Sequence, residues 1–263
     1  KLDDRERRAM SGISGHFLKA RQFHDWALQL AQNLEIDENE LNENGFTPAI
    51  HSHRLSAVIE ATVTELYATI DCCVQILRAI YGPTSQGFKK DTTTALYWYA
   101  DKITGSFPEA LKALFRVVPW YSMLRKIRSE IAHLSVGNCH LDRQTRKVNY
   151  FIDGVLPKDK PPYIDDIFAW LEQTEAGLNT HLGQIFGYLN STLLATPVAT
   201  ICGMTEGRML MRHVIPSDPL DFNNGICIAW PWFEKDENPT CPFVSACGAY
   251  KRAKGLKPEA DTS

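Results

Sequence analysis

The stretch LSAVIEATVTELYATIDCCVQILRAIY, Leu55 to Tyr81, decides the fold class. Its apolar residues recur at steps of three and four, which places them on one face of a long amphipathic helix. They are Leu55, Ile59, Val63, Leu66, Ile70, Val74, Leu77 and Tyr81. Gly82 and Pro83 follow directly and end the predicted helix.

Similar patterns predict helices on both sides of this segment. They fall at about residues 14–34, 90–105, 106–118, 120–137 and 164–194. Apolar contacts are expected in the first of them at Leu18, Trp26 and Leu34, and in the fourth at Trp120, Leu124, Ile127, Ile131 and Leu134. The acidic segment 35–45 is predicted to be a solvated loop, and Pro119 a kink or break.

Strand signals are few. In HLDRQTRKVNYFIDG, His140 to Gly154, the apolar residues at 148, 150 and 152 alternate, which indicates a hairpin arm. After Pro197 the composition changes, and GICIAWPWF, Gly225 to Phe233, is typical of a strand. The predicted class is all-α: an up-down helical bundle over 1–195, with its core at about 55–194, a short β-hairpin insertion, and an irregular C-terminal appendage over 196–263.

Composition narrows the function classes. The chain has 263 residues, a formal net charge of −3 and seven cysteines. It has no apolar run of membrane-spanning length and no apolar signal segment at its start, so no membrane association is expected. An odd cysteine count with Cys72 and Cys73 adjacent favours a reducing cytoplasm over a disulfide framework. The net charge gives no global sign of nucleic-acid binding, so such an activity requires a local basic patch.

Such a patch surrounds LRKIRSEIAHLSVG, Leu124 to Gly137, where Arg128 and His133 stand five residues apart. Six basic residues lie between 125 and 147, against two acids, Glu130 and Asp142. The basic residues are Arg125, Lys126, Arg128, Arg143, Arg146 and Lys147. A local patch of this kind attracts a polyanion even when the whole protein is slightly acidic.

The spacing alone carries little weight, since about one Arg/His pair of this kind is expected by chance in such a chain. Arg208 and His213 in RMLMRH have the same spacing. That second pair lies among prolines and glycines, whereas Arg128 and His133 lie on a strongly amphipathic helix beside the basic patch. The first pair is therefore the candidate site.

With these residues, LRKIRSEIAHLSVG resembles the motif of the HEPN superfamily, an arginine followed by histidine after four to six residues on a late helix of an all-α bundle. The resemblance covers roughly residues 55–194. It implies a metal-independent endoribonuclease that acts as a homodimer on RNA without a cofactor, in toxin–antitoxin, phage-defence or RNA-processing systems. An antitoxin or a defence-system protein is then a further expected partner. Other members of the superfamily have lost catalysis, so a module that binds RNA, a nucleotide or a protein partner stays open.

The resemblance assigns Arg128 and His133 as catalytic residues, with Ser129 and Glu130 in support. RNA binding is assigned to the basic residues Arg125, Lys126, Arg143, Arg146 and Lys147. No metal site is assigned. The chain departs from the family at Ser129, where asparagine is most frequent, and at Ser135, where members paired with nucleotidyltransferase antitoxins carry tyrosine.

The residue types suit cleavage of RNA, whose 2′-hydroxyl is its own nucleophile. Histidine moves protons near neutral pH, and arginine matches the phosphate with a permanently charged fork. The alternative from the residues alone is that Arg128 pairs with an acid of the bundle and His133 caps the helix end. Glu60, Glu65 or Asp71 could orient either residue, and the sequence does not choose among them.

Two other features carry weaker hypotheses. Cys202, Cys227, Cys241 and Cys247 could hold zinc, but no Cys-x-x-Cys pair occurs among them, and buried structural thiols are the alternative. The aromatic run ALYWYA, Ala95 to Ala100, could stack RNA bases, with a core or dimer contact as its alternative.

Overall fold

The computed structural model describes residues 3–88, 93–156, 159, 161–193, 196–205, 207–216 and 224–255. The chain forms two compact units, Lys1–Ile185 and Phe186–Ser263. Over the described residues it is rich in helix and carries three small antiparallel sheets. The class is therefore helical with β additions, rather than purely α.

The longest helices of the first unit are α1, Asp4–Ala31, and α3, Ile50–Tyr81, and they pack extensively against each other. A capping box formed by Asp3 and Glu6 starts α1 about ten residues earlier than predicted. Small residues on α1 allow the close approach, since a Cβ on Gly12 would lie 2.8 Å from Cys72 Sγ of α3. The expected apolar contacts at Leu18 and Trp26 are wrong, because both side chains are exposed.

The acidic segment is helical rather than a loop. It forms α2, Leu34–Asn44, and ends at Gly45, whose φ of 70° is the left-handed conformation that glycine favours. The side chain of Asp37 is buried and accepts the backbone N–H groups of His51 (3.3 Å) and Ser52 (2.8 Å). Asp37 thereby satisfies the first turn of α3, which has no side-chain cap of its own. This tertiary role explains why charge alone misled the prediction.

The other helices of this unit follow the predicted order. They are α4, Thr93–Tyr99; α5, Glu109–Arg116; α6, Pro119–His133; and α7, Ile167–Ser191, whose last turns extend past the end of the unit. The break at Pro119 is confirmed, with the proline in the first turn of α6. The helix ends at His133 instead of Gly137, so Leu134 is exposed rather than a core contact.

Small sheets fill the connections. Strands β1, Ser85–Gln86, and β2, Thr104–Gly105, pair with each other, and a second sheet has the order β3, Asn138–Leu141; β4, Val148–Phe151; β5, Tyr163–Ile164. The predicted hairpin is confirmed, since β3 and β4 are antiparallel with Cys139 opposite Tyr150.

The second unit is more regular than the predicted appendage. It contains a three-stranded antiparallel sheet in the order β6, Val198–Thr205; β7, Arg208–Val214; β8, Ile226–Cys227, followed by α8, Trp230–Phe233, and α9, Gly248–Ala253. The strand expected over Gly225–Phe233 is only the two residues of β8, because Pro231 allows the first turn of a helix to form there.

Across the part of the chain that the structure describes, no helix is both long and apolar enough to cross a membrane.

Candidate functional site

Helix α6 carries the Arg/His motif and is fixed by its apolar face. Tyr121, Leu124 and Ile127 are buried, which turns the basic positions of the helix away from the core. At the end of the helix, the N–H groups of Leu134 (2.8 Å) and Ser135 (3.0 Å) both donate to the carbonyl oxygen of Glu130. His133 is therefore the last residue with helical backbone.

Arg128 is half-buried, and its guanidinium lies over an aromatic ring. Its Cζ is 5.2 Å from the centroid of the Tyr67 ring on α3, a cation–π contact. Among the described residues, none accepts a hydrogen bond from Arg128 or forms an ion pair with it. Arg128 therefore does not form the ion pair with an acid of the bundle that was the alternative prediction. Its charge remains available to an anion.

Asp71 is the acid of α3 whose charge acts on Arg128, and it stands one helical turn beyond Tyr67. Burial raises the pKa of the Asp71 carboxyl, whereas the hydrogen bond from Thr93 and the charge of Arg128 act in the opposite direction. The other two candidate acids are engaged elsewhere. Glu65 contacts His16 Nδ1 at 2.5 Å, and Glu60 holds the segment after α6.

Glu60 forms a clasp at the end of the motif. Its Oε1 accepts the backbone N–H of Gly137 (2.6 Å) and the hydroxyl of Tyr150 (3.1 Å). Gly137 admits no side chain, because a Cβ there would lie 2.1 Å from the Tyr150 ring. The clasp fixes the direction in which the chain leaves α6, four residues after His133.

His133 is exposed, and large apolar side chains stand next to it. Leu134 is 80% exposed and Val136 is 69% exposed. The two side chains form a small exposed apolar surface beside the candidate site.

Ser129 and Glu130, the two predicted supporting residues, lie on α6 next to Arg128. Ser129 is half-buried, and so is Glu130, whose carboxyl carbon lies 3.1 Å from the position that a Cβ on Gly154 would take. The hydroxyl of Ser135 is buried without a partner among the described residues.

The five predicted RNA-binding residues fall into two groups. On α6, Arg125 donates from Nε to Thr94 Oγ1 (3.3 Å), and its Cζ is 5.6 Å from the Trp98 ring, while Lys126 is exposed. Neither is paired with a carboxylate within the described ranges.

The second group lies at the turn between β3 and β4, and its charges are compensated. Arg143 is 2.7 Å from Glu38, Arg146 contacts Glu35, and Lys147 is 3.1 Å from Asp165. These ion pairs join the turn to α2 and to the residues before α7. The basic patch predicted from the sequence therefore consists of cations on α6 that contact no described carboxylate and of cations on the hairpin that are paired with acids.

The rival pair is arranged differently. Arg208 and His213 lie on strand β7, where side chains five residues apart point to opposite faces. The guanidinium of Arg208 lies 5.0 Å from the ring centroid of Trp232. This arrangement does not favour a joint action of the two residues on one phosphate.

His181 on α7 is a titratable residue near the motif helix that sequence analysis missed. It is buried against the rings of Tyr97, Phe115 and Trp120 and borders a groove of about 460 Å³. Burial lowers its pKa from 6.5 to about 4, and its Nε2 has no partner among the described residues. It lies on the apolar stripe of α7 with Leu178 and Ile185, so only its position on that stripe indicated that it is buried.

This burial predicts an acid-sensitive stability. In the unfolded chain His181 is protonated below pH 6.5, whereas in the folded chain it is protonated only below about pH 4. The free energy of unfolding therefore falls as the pH drops from about 6.5 to about 4. Between pH 7 and pH 5 this effect should lower the free energy of unfolding of the wild type by about 2 kcal/mol, and His181→Phe should not show that decrease. Urea unfolding of wild type, His181→Phe and the exposed control His53→Gln at both pH values measures it. An equal loss in wild type and His181→Phe would contradict the assignment.

The four cysteines of the second unit share one small core. Cys227 and Cys241 are buried in it, and Cys202 and Cys247 pack against it. Within the described ranges, no three or more His, Cys, Asp or Glu side chains are arranged to hold a metal ion. All seven cysteines are free thiols.

Comparison with known proteins does not identify the chain. No protein-family model matches it, and neither the curated proteins nor the solved structures contain a significant match.

Proposed function

We propose that the protein is a metal-independent endoribonuclease of HEPN type, with Arg128 and His133 as its catalytic residues. The observation that carries the proposal is the state of Arg128. A half-buried guanidinium held over Tyr67 keeps a permanent charge that no described carboxylate neutralises by contact. Such a cation suits the phosphate of RNA, because the guanidinium fork matches two phosphate oxygens. The finer fold in this proposal is a HEPN-like up-down bundle formed by the helices of residues 55–193.

The chemistry follows from the substrate. The 2′-hydroxyl oxygen forms a new bond to phosphorus, and the bond between phosphorus and the 5′-oxygen breaks. One group removes the proton of the 2′-hydroxyl, and another protonates the leaving 5′-oxygen. Arg128 stabilises the charge on the phosphate oxygens in the transition state. The products are a 2′,3′-cyclic phosphate and a free 5′-hydroxyl.

The geometry of one helix favours a site shared by two chains. Five residues on an ideal helix rotate by about 500° and rise by about 7.5 Å, so Arg128 and His133 diverge by roughly 140°. A two-fold axis brings Arg128 of one chain opposite His133 of the other and so forms two equivalent sites, each with one arginine and one histidine. Leu134 and Val136, both exposed beside His133, are the apolar surface that this homodimer buries.

A second candidate function is a non-catalytic module that binds RNA, a nucleotide or a protein partner. The ion pairs of Arg143, Arg146 and Lys147 favour it, because they reduce the positive surface offered to a long RNA. The serine at position 129 also departs from the family motif. Toxin–antitoxin or phage-defence roles, with an antitoxin or defence protein as partner, belong to the first proposal.

Mixing two inactive variants tests the shared site. Homodimers of Arg128→Ala or of His133→Ala lack one required group at both sites, whereas a mixed dimer restores one complete site. After statistical exchange, the mixture should recover about a quarter of wild-type cleavage. Differently tagged subunits establish that exchange has occurred. Exchanged dimers without any recovery would refute the shared site, and so would a monomer that cleaves RNA.

A further inference from the structure

Helix α4 presents two aromatic rings to solvent beside the motif helix. In the run YWY, Tyr97 is stacked on Tyr121 at 3.7 Å, whereas Trp98 is 59% exposed and Tyr99 is 48% exposed. The core alternative for this aromatic run therefore holds for Tyr97 but not for its two neighbours. Two neighbouring exposed rings offer a surface on which the base of a nucleic acid can stack.

Arg125 joins this aromatic surface to α6. Its Nε donates to Thr94 Oγ1 (3.3 Å), and its Cζ lies 5.6 Å from the centroid of Trp98. Like Arg128, Arg125 contacts no carboxylate among the described residues. Both arginines are thus held by aromatic rings, in contrast to the hairpin cations, which are held by acids.

The two arginines are spaced like neighbours on one strand of phosphates. Residues three apart on a helix have Cβ atoms about 5–6 Å from each other on the same face. If Arg128 contacts the phosphate that is cleaved, Arg125 reaches a phosphate next to it. The ring of Trp98 then lies beside the base that this neighbouring nucleotide carries.

We propose that Trp98 and Arg125 form a subsite for one unpaired nucleotide adjacent to the cleaved phosphate. This inference rests on the proposed function and specifies its substrate class as single-stranded RNA. Arg125 binds the phosphate, and the exposed surface of the Trp98 ring stacks with the base. A base inside a duplex is stacked on its neighbours and cannot reach the ring, so the subsite selects unpaired RNA.

Binding of a non-cleavable RNA tests the subsite apart from catalysis. The probe is a short 2′-O-methyl oligonucleotide, used single-stranded and annealed to its complement, with fluorescence anisotropy as the readout. Wild type should prefer the single strand, and Trp98→Ala should weaken that binding about tenfold. Trp98→Phe keeps a ring and should retain most of the affinity. Trp26→Ala removes an exposed tryptophan of α1 and should change nothing.

A substrate variant identifies the contact itself. In a set of oligonucleotides with one abasic nucleotide at successive positions, one position should weaken wild-type binding but leave Trp98→Ala binding unchanged. Equal sensitivity of wild type and Trp98→Ala at every position would overturn the subsite. So would a shift in oligomeric state in Trp98→Ala without loss of affinity per dimer, which would make Trp98 a dimer contact. Trp98-dependent binding without cleavage in wild type would keep the subsite and reject the nuclease.

Discussion

Arg128→Ala and His133→Ala should each reduce the rate of RNA cleavage by at least about a hundredfold, because each removes a group that acts in the transition state. His133 is exposed at the end of α6, so its replacement should leave the free energy of unfolding unchanged. Arg128→Ala also loses the contact with Tyr67 and should cost about 1 kcal/mol of stability. Cleavage rates on labelled RNA, with circular dichroism as a check of folding, measure both effects.

The chain supplies a matched control for this result. Arg208→Ala and His213→Ala remove an Arg/His pair with the same spacing on β7 and should leave the cleavage rate close to that of wild type. Activity that persists in His133→Ala would reject the proposed chemistry. Activity lost only in the variants of β7 would move the site to the second unit.

Glu60→Ala should lower the free energy of unfolding by about 3 kcal/mol, which is the largest stability effect that we expect. The variant leaves the N–H of Gly137 and the hydroxyl of Tyr150 without an acceptor in buried surroundings, and each such loss costs about 1–3 kcal/mol. Urea unfolding followed by circular dichroism measures this cost. Because the clasp holds the chain just after His133, cleavage should also fall.

Two variants separate the clasp from a general effect of lost charge. Glu60→Gln keeps an oxygen that can accept both bonds but removes the negative charge that strengthens them, so it should lose roughly half as much stability. Glu43→Ala removes an exposed acid of α2 and should be neutral. A loss in Glu43→Ala equal to that in Glu60→Ala would contradict the role given to the clasp.

The periodicity of the sequence predicted the helices whose buried faces follow from the spacing of their own apolar residues. The long helix ends at Tyr81 as its glycine and proline require, and Leu124 and Ile127 of α6 are fully buried. Helix ends depended on tertiary contacts that periodicity does not contain. The segment 35–45 is largely helical, and its Asp37 caps a different helix. Helix α6 stops at His133, where the chain turns toward Glu60.

The candidate site was predictable only as a pair of residue types. The sequence left Glu60, Glu65 and Asp71 equivalent, since all three lie on α3. Their partners distinguish them: a backbone N–H for the first, His16 for the second, and Thr93 with the charge of Arg128 for the third. The division of the basic residues into free and paired sets likewise depends on α2, which the sequence had suggested to be a loop.

The position of Arg125 and Arg128 bears on which RNA the proposed enzyme would bind. Arg125 and Arg128 lie on one face of α6, each against a ring. Under the proposed function, we therefore expect phosphates to approach along that helix. The ion pairs of Arg143, Arg146 and Lys147 weaken the attraction of these three residues for phosphate. We therefore expect affinity to come from a short stretch of RNA near the site, and not from a long basic track.

The most direct test is incubation of the purified protein with a mixed RNA pool, with and without EDTA, followed by analysis of the fragment ends. Metal-independent cleavage should proceed equally in both samples, and each new 5′ fragment should end in a 2′,3′-cyclic phosphate. A requirement for a divalent metal, fragments with other ends, or intact RNA in both samples would contradict the account.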